Sequence, residues 1–224
     1  MNLTINKGVL ILCAVFGIFS FMPIGCIYKD QPMPEITTDY SKNSPIVTKP
    51  VTAKPAPKYT YNNTTVPPMW MPPARLEKSW TAVVIHHSAT NNGNAAIFDK
   101  WHREGNHWEG VGYDFVIGNG TNSADGQVEV TFRWVQQKTG AHTGGTPNNW
   151  ANRDGIGICL VGNFNKTYPT RRQMRSLTNL VRFLKKRYNI PTSRIYGHRT
   201  TPGAHVTDCP GQNFPMAAFK SSLY

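Results

Sequence analysis

The chain has 224 residues and a formal net charge of +12. That length suits one ordinary domain with additional segments. Its 39% apolar and 16% charged residues are those of a globular protein and exclude a wholly disordered chain.

The composition changes along the chain. Residues 8–27, "GVLILCAVFGIFSFMPIGCI", carry no charge and follow Lys7. A basic start and an apolar run read as an export signal, and the run is also close to the length of a membrane span. It closes on Gly25-Cys26, which resembles a bacterial lipoprotein cleavage site, although Pro23 stands where leucine is usual. Lipidation at Cys26, an uncleaved signal anchor and plain secretion remain open. All three export the rest of the chain.

Residues 28–73 are rich in Pro, Thr, Lys and Asn and show no sustained period. Such a stretch cannot bury enough apolar surface to offset its ordering entropy. It reads as a tether, reaching at most roughly 140 Å if extended as polyproline II. The folded domain is then 74–224, with 18 Lys and Arg against nine Asp and Glu. A basic surface suits an anionic partner such as nucleic acid, phospholipid or wall polymer, or serves solubility alone.

Within the domain, "WTAVVIHH" (80–87) reads as a buried strand ending in two histidines. "NAAIFDKWHREG" (94–105) reads as a helix with Ala96, Ile97, Lys100, Trp101 and Glu104 on one face, stopped by Gly105. "YDFVIGNG" (113–120) is a strand with a Gly turn, and "GQVEVTFRW" (126–134) alternates as a half-exposed strand does. The two predict a hairpin. Residues 140–155 form a long Gly/Asn loop, and "IGICLVGNF" (156–164) is apolar enough for a central strand.

"TRRQMRSLTNLVRFLKKRY" (170–188) is the clearest helix, with Met174, Leu177, Leu180, Val181, Leu184 and Tyr188 in one stripe and Thr170 as N-cap. "RIYGH" (194–198) is a short strand, and residues 215–223 suggest a terminal helix. The mixture predicts an α/β (mixed α+β) fold, a central mixed sheet flanked by helices.

Burying imidazole needs a partner, so His86 and His87 ask for a second half of a site. A second strand ends in His198, and Cys209 follows in the turn "TDCPG". Two imidazoles and a thiolate suit zinc, and three protein ligands leave a fourth position open, as catalysis requires. Cys159, in an apolar run, reads as a buried free thiol not paired with Cys209.

The words "IHHSAT", "GVGYDFVI", "GAHTGG", "IGICLVGNF" and "YGHR…TDCPG" occur in one order over residues 80–215. Together they resemble the zinc-dependent N-acetylmuramoyl-L-alanine amidases, a family that includes phage amidase lysozymes and animal peptidoglycan recognition proteins. The resemblance implies one zinc ion held by His86, His198 and Cys209. It places Tyr113 beside the zinc-bound water and the scissile carbonyl, and Thr207 where the oxyanion forms. His142 and Asn163 become candidate substrate contacts, with His87 a further contact or packing. Cys159 stands where the cytoplasmic members carry glutamate, which sides this chain with the phage and recognition-protein branch. The segment 199–208 is longer than in compact members and makes His205 a rival ligand.

The implied reaction is hydrolysis of the amide between N-acetylmuramic acid and L-alanine in peptidoglycan. Zinc lowers the pKa of bound water from 15.7 to about 7, and Tyr113 helps move a proton to the leaving amine. The expected partners are peptidoglycan or muropeptides, with a membrane reached through the N-terminus and no nucleic acid. The expected state is a monomer. His102 reads as packed. His107 and Trp108 either contact glycan or cover the core, and Trp134 and Trp150 either stack on sugars or cover apolar residues. A non-catalytic peptidoglycan-binding module and a stem-peptide zinc peptidase are the rival readings; the first is disfavoured by Cys209 and the second by the absence of an "HExxH" helix.

Overall fold

The computed structural model describes residues 66–224, so the leader and residues 28–65 of the expected tether lie outside the described residues. Five strands form one sheet: β1 (Ala82–His87), β2 (Phe115–Ile117), β3 (Val128–Val130), β4 (Gly155–Leu160) and β5 (Ile195–Gly197). Their spatial order is β3-β2-β4-β1-β5. β4 pairs parallel with β1 and β2, β1 pairs parallel with β5, and β3 runs antiparallel at the edge. β1 and β4 are buried along their whole lengths, as strands covered on both faces must be. This is the expected mixed sheet with flanking helices.

Helices α1 (Ala95–Asn106) and α4 (Arg171–Tyr188) cover opposite faces, and α5 (Met216–Ser221) lies with α4. Side chains alternate along β1. Val83 and Ile85 join the core that holds Leu177, Leu180, Val181 and Leu184 of α4 and Phe219 of α5. On the other face, Phe98 of α1 packs with Val116 and Cys159.

α4 begins where the sequence places it. Thr170 Oγ1 accepts the Gln173 N–H at 3.0 Å, and Gln173 Oε1 accepts the Thr170 N–H at 3.1 Å. This reciprocal cap satisfies donors the helix leaves open. Gln173 Nε2 also donates to the carbonyls of Ile117 and Val161, tying the helix to β2 and to the end of β4.

Several local expectations shift. The hairpin forms, but its second strand stops at Val130, because Thr131 caps α2 (Phe132–Val135) by accepting the Arg133 N–H. Trp134 is therefore fully buried, stacked on Trp80 with centroids 6.0 Å apart, and is no sugar platform. α1 ends at His107 in the left-handed region (φ 56°) rather than at Gly105. Its buried positions are Phe98 and His102, while Lys100 and Glu104 are exposed. The loop 140–155 contains α3 (Trp150–Arg153). The folded body also starts before residue 74: Trp70 is 2% exposed, and its carbonyl accepts the Trp134 indole N–H. Its indole, set among prolines, still finds the core beside Phe183.

Asp114, wholly buried at the start of β2, holds two strands together. Its N–H donates to the Gly157 carbonyl, and its Oδ2 accepts the Gly157 N–H at 2.8 Å. Burial raises its pKa to about 7 against the pull of that N–H, Lys78 and Arg133. The unfolded chain loses this proton from about pH 4 upward. The folded chain holds it to about pH 7, so the folded state binds more protons between these values and stability falls as pH rises. The limit is about 4 kcal/mol, at 1.36 kcal/mol per unit. Asp114→Asn keeps the carbonyl acceptor and should abolish that fall. Urea unfolding of both proteins at pH 5 and pH 8 should show the wild type losing stability relative to the variant as pH rises. Buried histidines such as His87 and His102, whose pKa values are lowered to about 4, add the opposite slope equally to both.

Candidate metal centre

β1 and β5 carry His86 and His198 to neighbouring positions, because the two strands pair in parallel with Ile85 opposite Gly197. The two imidazole centroids are 4.7 Å apart. Cys209 arrives from the turn after β5, and its Sγ lies 3.5 Å from His86 Nδ1. The donor atoms of His86, His198 and Cys209 all fall within 4.8 Å of one another. A tetrahedral zinc bound to one sulfur and one nitrogen holds them about 3.6 Å apart. The observed S···N separation fits that ion, and so does the donor set.

Charge in the cluster is low. Burial, then His198 and His142, push the pKa of His86 well below that of a free imidazole. At neutral pH His86 is therefore uncharged, the form that binds metal. Burial pushes the Cys209 thiol up to about 12, opposed by the His87 N–H and Arg199. The His87 N–H donates to Cys209 Sγ at 3.4 Å.

His142 sits behind His86. Its Nδ1 is 3.1 Å from His86 Nε2 and 2.8 Å from Thr143 Oγ1, and its Nε2 is 3.4 Å from the Gly155 carbonyl. With the His142 proton on Nε2, facing the Gly155 carbonyl, the single lone pair of Nδ1 is shared between its two neighbours. His86 Nε2–H and the Thr143 hydroxyl donate to His142 Nδ1, and His142 Nε2–H donates to Gly155. That leaves His86 Nδ1 bare and facing Cys209. The ring fits because β4 has glycine at 157, where a Cβ would lie 2.4 Å from His142 Cδ2. His142, expected as a substrate contact on the cleft wall, is 7% exposed and packs its ring against His86.

Tyr113 lies against His86 with centroids 5.2 Å apart. Burial and the thiols of Cys159 and Cys209 hold its pKa well above 10, so its hydroxyl stays protonated. His102 supports it from the far side, 5.7 Å ring to ring, while its Nδ1 accepts the Gly112 N–H at 2.9 Å. Arg133 was read as a strand residue and proves to be a buried anchor. It donates to the carbonyls of Val111 and Thr139, pinning the segments that carry Tyr113 and His142. The sequence carries no local signal for this, because the residue reaches the interior only through the turn at α2.

Thr207 is half-buried, and its Oγ1 accepts the Cys209 N–H at 3.2 Å. Its own proton is left to donate outward. His87 Nδ1 accepts the Phe164 N–H at 3.1 Å and its ring faces Phe164, which makes it packing beside the cluster. Asn163 Oδ1 accepts the Asn165 N–H and closes a turn. His205 is exposed and outside the cluster, its N–H bonded to the Gly144 carbonyl. Trp150 is half-exposed against Tyr196, with its indole N–H on the Pro202 carbonyl. Cys159 is buried, and neither it nor Cys209 forms a disulfide.

The fold and this cluster define a candidate metal-dependent hydrolase, and comparison with known proteins gives the class. The sequence pattern of the N-acetylmuramoyl-L-alanine amidases matches residues 76–212, and the chain belongs to that family. It is 33% identical over 139 residues to peptidoglycan-recognition protein SC2 of Drosophila melanogaster, covering 58% of this chain and 67% of the relative. It is 29% identical over 120 residues to the human N-acetylmuramoyl-L-alanine amidase, covering 53% of this chain but 18% of that protein. Among solved structures, the amidase LysC of Clostridium intestinale is similar at 32% identity and a TM-score of 0.55, over 65% of this chain and 85% of that one.

Removing the imidazole behind His86 tests the support directly. His142→Ala should weaken zinc binding roughly 10- to 100-fold, as loss of an outer hydrogen-bond partner does. Competition with a chromogenic chelator reads the affinity, and circular dichroism verifies that the fold is retained.

Proposed function

We propose that the chain is a zinc-dependent N-acetylmuramoyl-L-alanine amidase that cleaves the amide between the lactyl group of N-acetylmuramic acid and L-alanine in peptidoglycan. The observation that carries this reading is the three-donor cluster with its atoms within 4.8 Å, beside the Tyr113 ring and the Thr207 hydroxyl that accepts the Cys209 N–H. His86, His198 and Cys209 would hold one zinc ion, which when bound supplies Lewis acidity and activates water at neutral pH.

The chain's own residues do the rest. The amide carbonyl lies beside the cluster with its oxygen toward the Thr207 hydroxyl. Because that hydroxyl already accepts the Cys209 N–H, its proton is directed at charge developing on the carbonyl oxygen. Water oxygen adds to the carbonyl carbon, and the C–N bond breaks as the nitrogen gains a proton. The Tyr113 hydroxyl, protonated at working pH, donates a hydrogen bond to the reacting groups. His142 keeps His86 in one tautomer throughout. The products are a lactyl carboxylate and a stem peptide with a free N-terminal alanine.

The proposal includes place. Residues 1–27 would carry the protein out of the cytoplasm and 28–65 would tether it to a membrane, with one copy of the domain acting alone. The full chain in mild detergent should release stem peptides with free N-terminal alanine from purified peptidoglycan, read by mass spectrometry, and a zinc chelator should stop it. Zinc-loaded, folded protein that binds peptidoglycan without releasing peptides would favour the recognition reading that some relatives' names carry.

Two substitutions sharpen the assignment. Cys209→Ser should remove zinc and activity together. Tyr113→Phe should keep zinc while lowering kcat by roughly 100-fold. Near-normal turnover in either variant, measured on the same digest, would count against the assigned role.

A further inference from the structure

The cleft occupies one face of the sheet, and the opposite face is covered by α4. Between Asp154 and Asp208 the chain carries ten Lys and Arg and no acidic residue. Seven of those ten lie in α4. Arg171, Arg175, Arg182 and Lys186 follow the 4, 7, 4 spacing that puts side chains on one helical stripe, and all four are exposed. The ion pairs of the described residues fall elsewhere, save Arg187 with Glu77 at 2.6 Å on the flank. Asp125 meets the helix only at its start, on the Thr170 hydroxyl.

The described chain begins against the flank of α4 that borders this face. The Trp70 ring lies 6.0 Å from that of Phe183 in α4, and Arg187 Nη1 is 3.7 Å from Met71 Sδ. Beside the basic stripe the segment exposes Met69 (56%) and Met71 (45%). Exposed apolar side chains next to a basic stripe, with Glu77 on Arg187 the one acid at their border, match the headgroup boundary of an anionic bilayer.

We infer that the α4 face, together with Met69 and Met71, docks on an anionic phospholipid surface and turns the metal cleft away from it. The inference rests on reading residues 8–27 as a membrane anchor, but not on hydrolysis. The tether joins the domain at the surface that docks, so the face nearest the bilayer carries the charge and the opposite face carries the site. A lipid surface is favoured over an anionic wall polymer because bare charge would suffice for the polymer. The exposed methionines would then have no role.

The test uses the full chain reconstituted into vesicles of phosphatidylcholine alone or with phosphatidylglycerol. Trace acetylation, read by mass spectrometry, compares Lys186 on α4 with Lys100 on α1 across the sheet. The ratio of Lys186 to Lys100 labelling should fall roughly fivefold or more on the anionic vesicles at low salt and recover at high salt. Arg171→Gln combined with Arg175→Gln should weaken that protection and leave peptidoglycan hydrolysis in detergent unchanged. Equal ratios on both vesicles, with the protein retained on both, would overturn the inference. Failure to float with phosphatidylcholine vesicles would remove the anchor reading and the inference with it. Protection by soluble polyglycerol phosphate but not by anionic vesicles would overturn it in favour of a wall polymer.

Discussion

The parallel register of β1 between β4 and β5 is the constraint on which the site depends. It sets His86 opposite Cys159 and places Gly197 beside Ile85, so that the next residue, His198, emerges next to His86. Because side chains alternate, the same register commits Val83 and Ile85 to the α4 core. A slip of one residue would put His86 among those aliphatic side chains and Ile85 in the cleft. Apolar packing on one face therefore fixes the geometry of the donor cluster on the other. Two histidines at the end of an apolar strand are tolerated because each finds a partner, His142 for His86 and the Phe164 N–H for His87.

The site's support is arranged around small residues. Gly155 offers its carbonyl to His142, and Gly157 makes room for the ring. Glycine weakens a strand interior, so its presence at alternate positions of a central strand needs a reason. At Gly157 the reason is close approach of the His142 imidazole, and at Gly155 it is close approach of the Ala151 carbonyl. Asp114 compensates nearby by clasping Gly157 from β2 through two hydrogen bonds. Buried Arg133 then holds the flanking loops. The result is a mostly neutral pocket whose orientation rests on hydrogen bonds.

How much of this could be read beforehand follows from where the information sits. His86, His198 and Cys209 were legible because each ends a recognisable strand or occupies a turn. α4 was legible because eighteen residues repeat one period and Thr170 with Gln173 caps it. The α2 turn was not, since "VEVTFRWV" alternates as a strand does and only the Thr131 cap decides otherwise. Trp70 was hidden because a proline-rich neighbourhood signals low order, whereas its burial depends on Phe183, more than a hundred positions away. His142 was visible as a residue but not as a support. The clue was Gly157 in β4, which marks a groove without saying what fills it.

The two faces of the sheet carry different chemistry, and alternation along β1 allows one short strand to serve both. Ile85 faces α4, whose outer surface is basic, while His86 faces the cluster. Substitutions on the exposed face of α4 can change surface charge while the aliphatic layer of Leu177, Leu180, Val181 and Leu184 still holds the strand register. The cleft lacks that freedom. Its donors are coupled through His142 to the space over Gly157, so a single added methyl group there would press on the ring that packs against His86. The basic face and the donor cluster thus share one sheet and remain separable by mutation, because a tightly packed apolar layer lies between them.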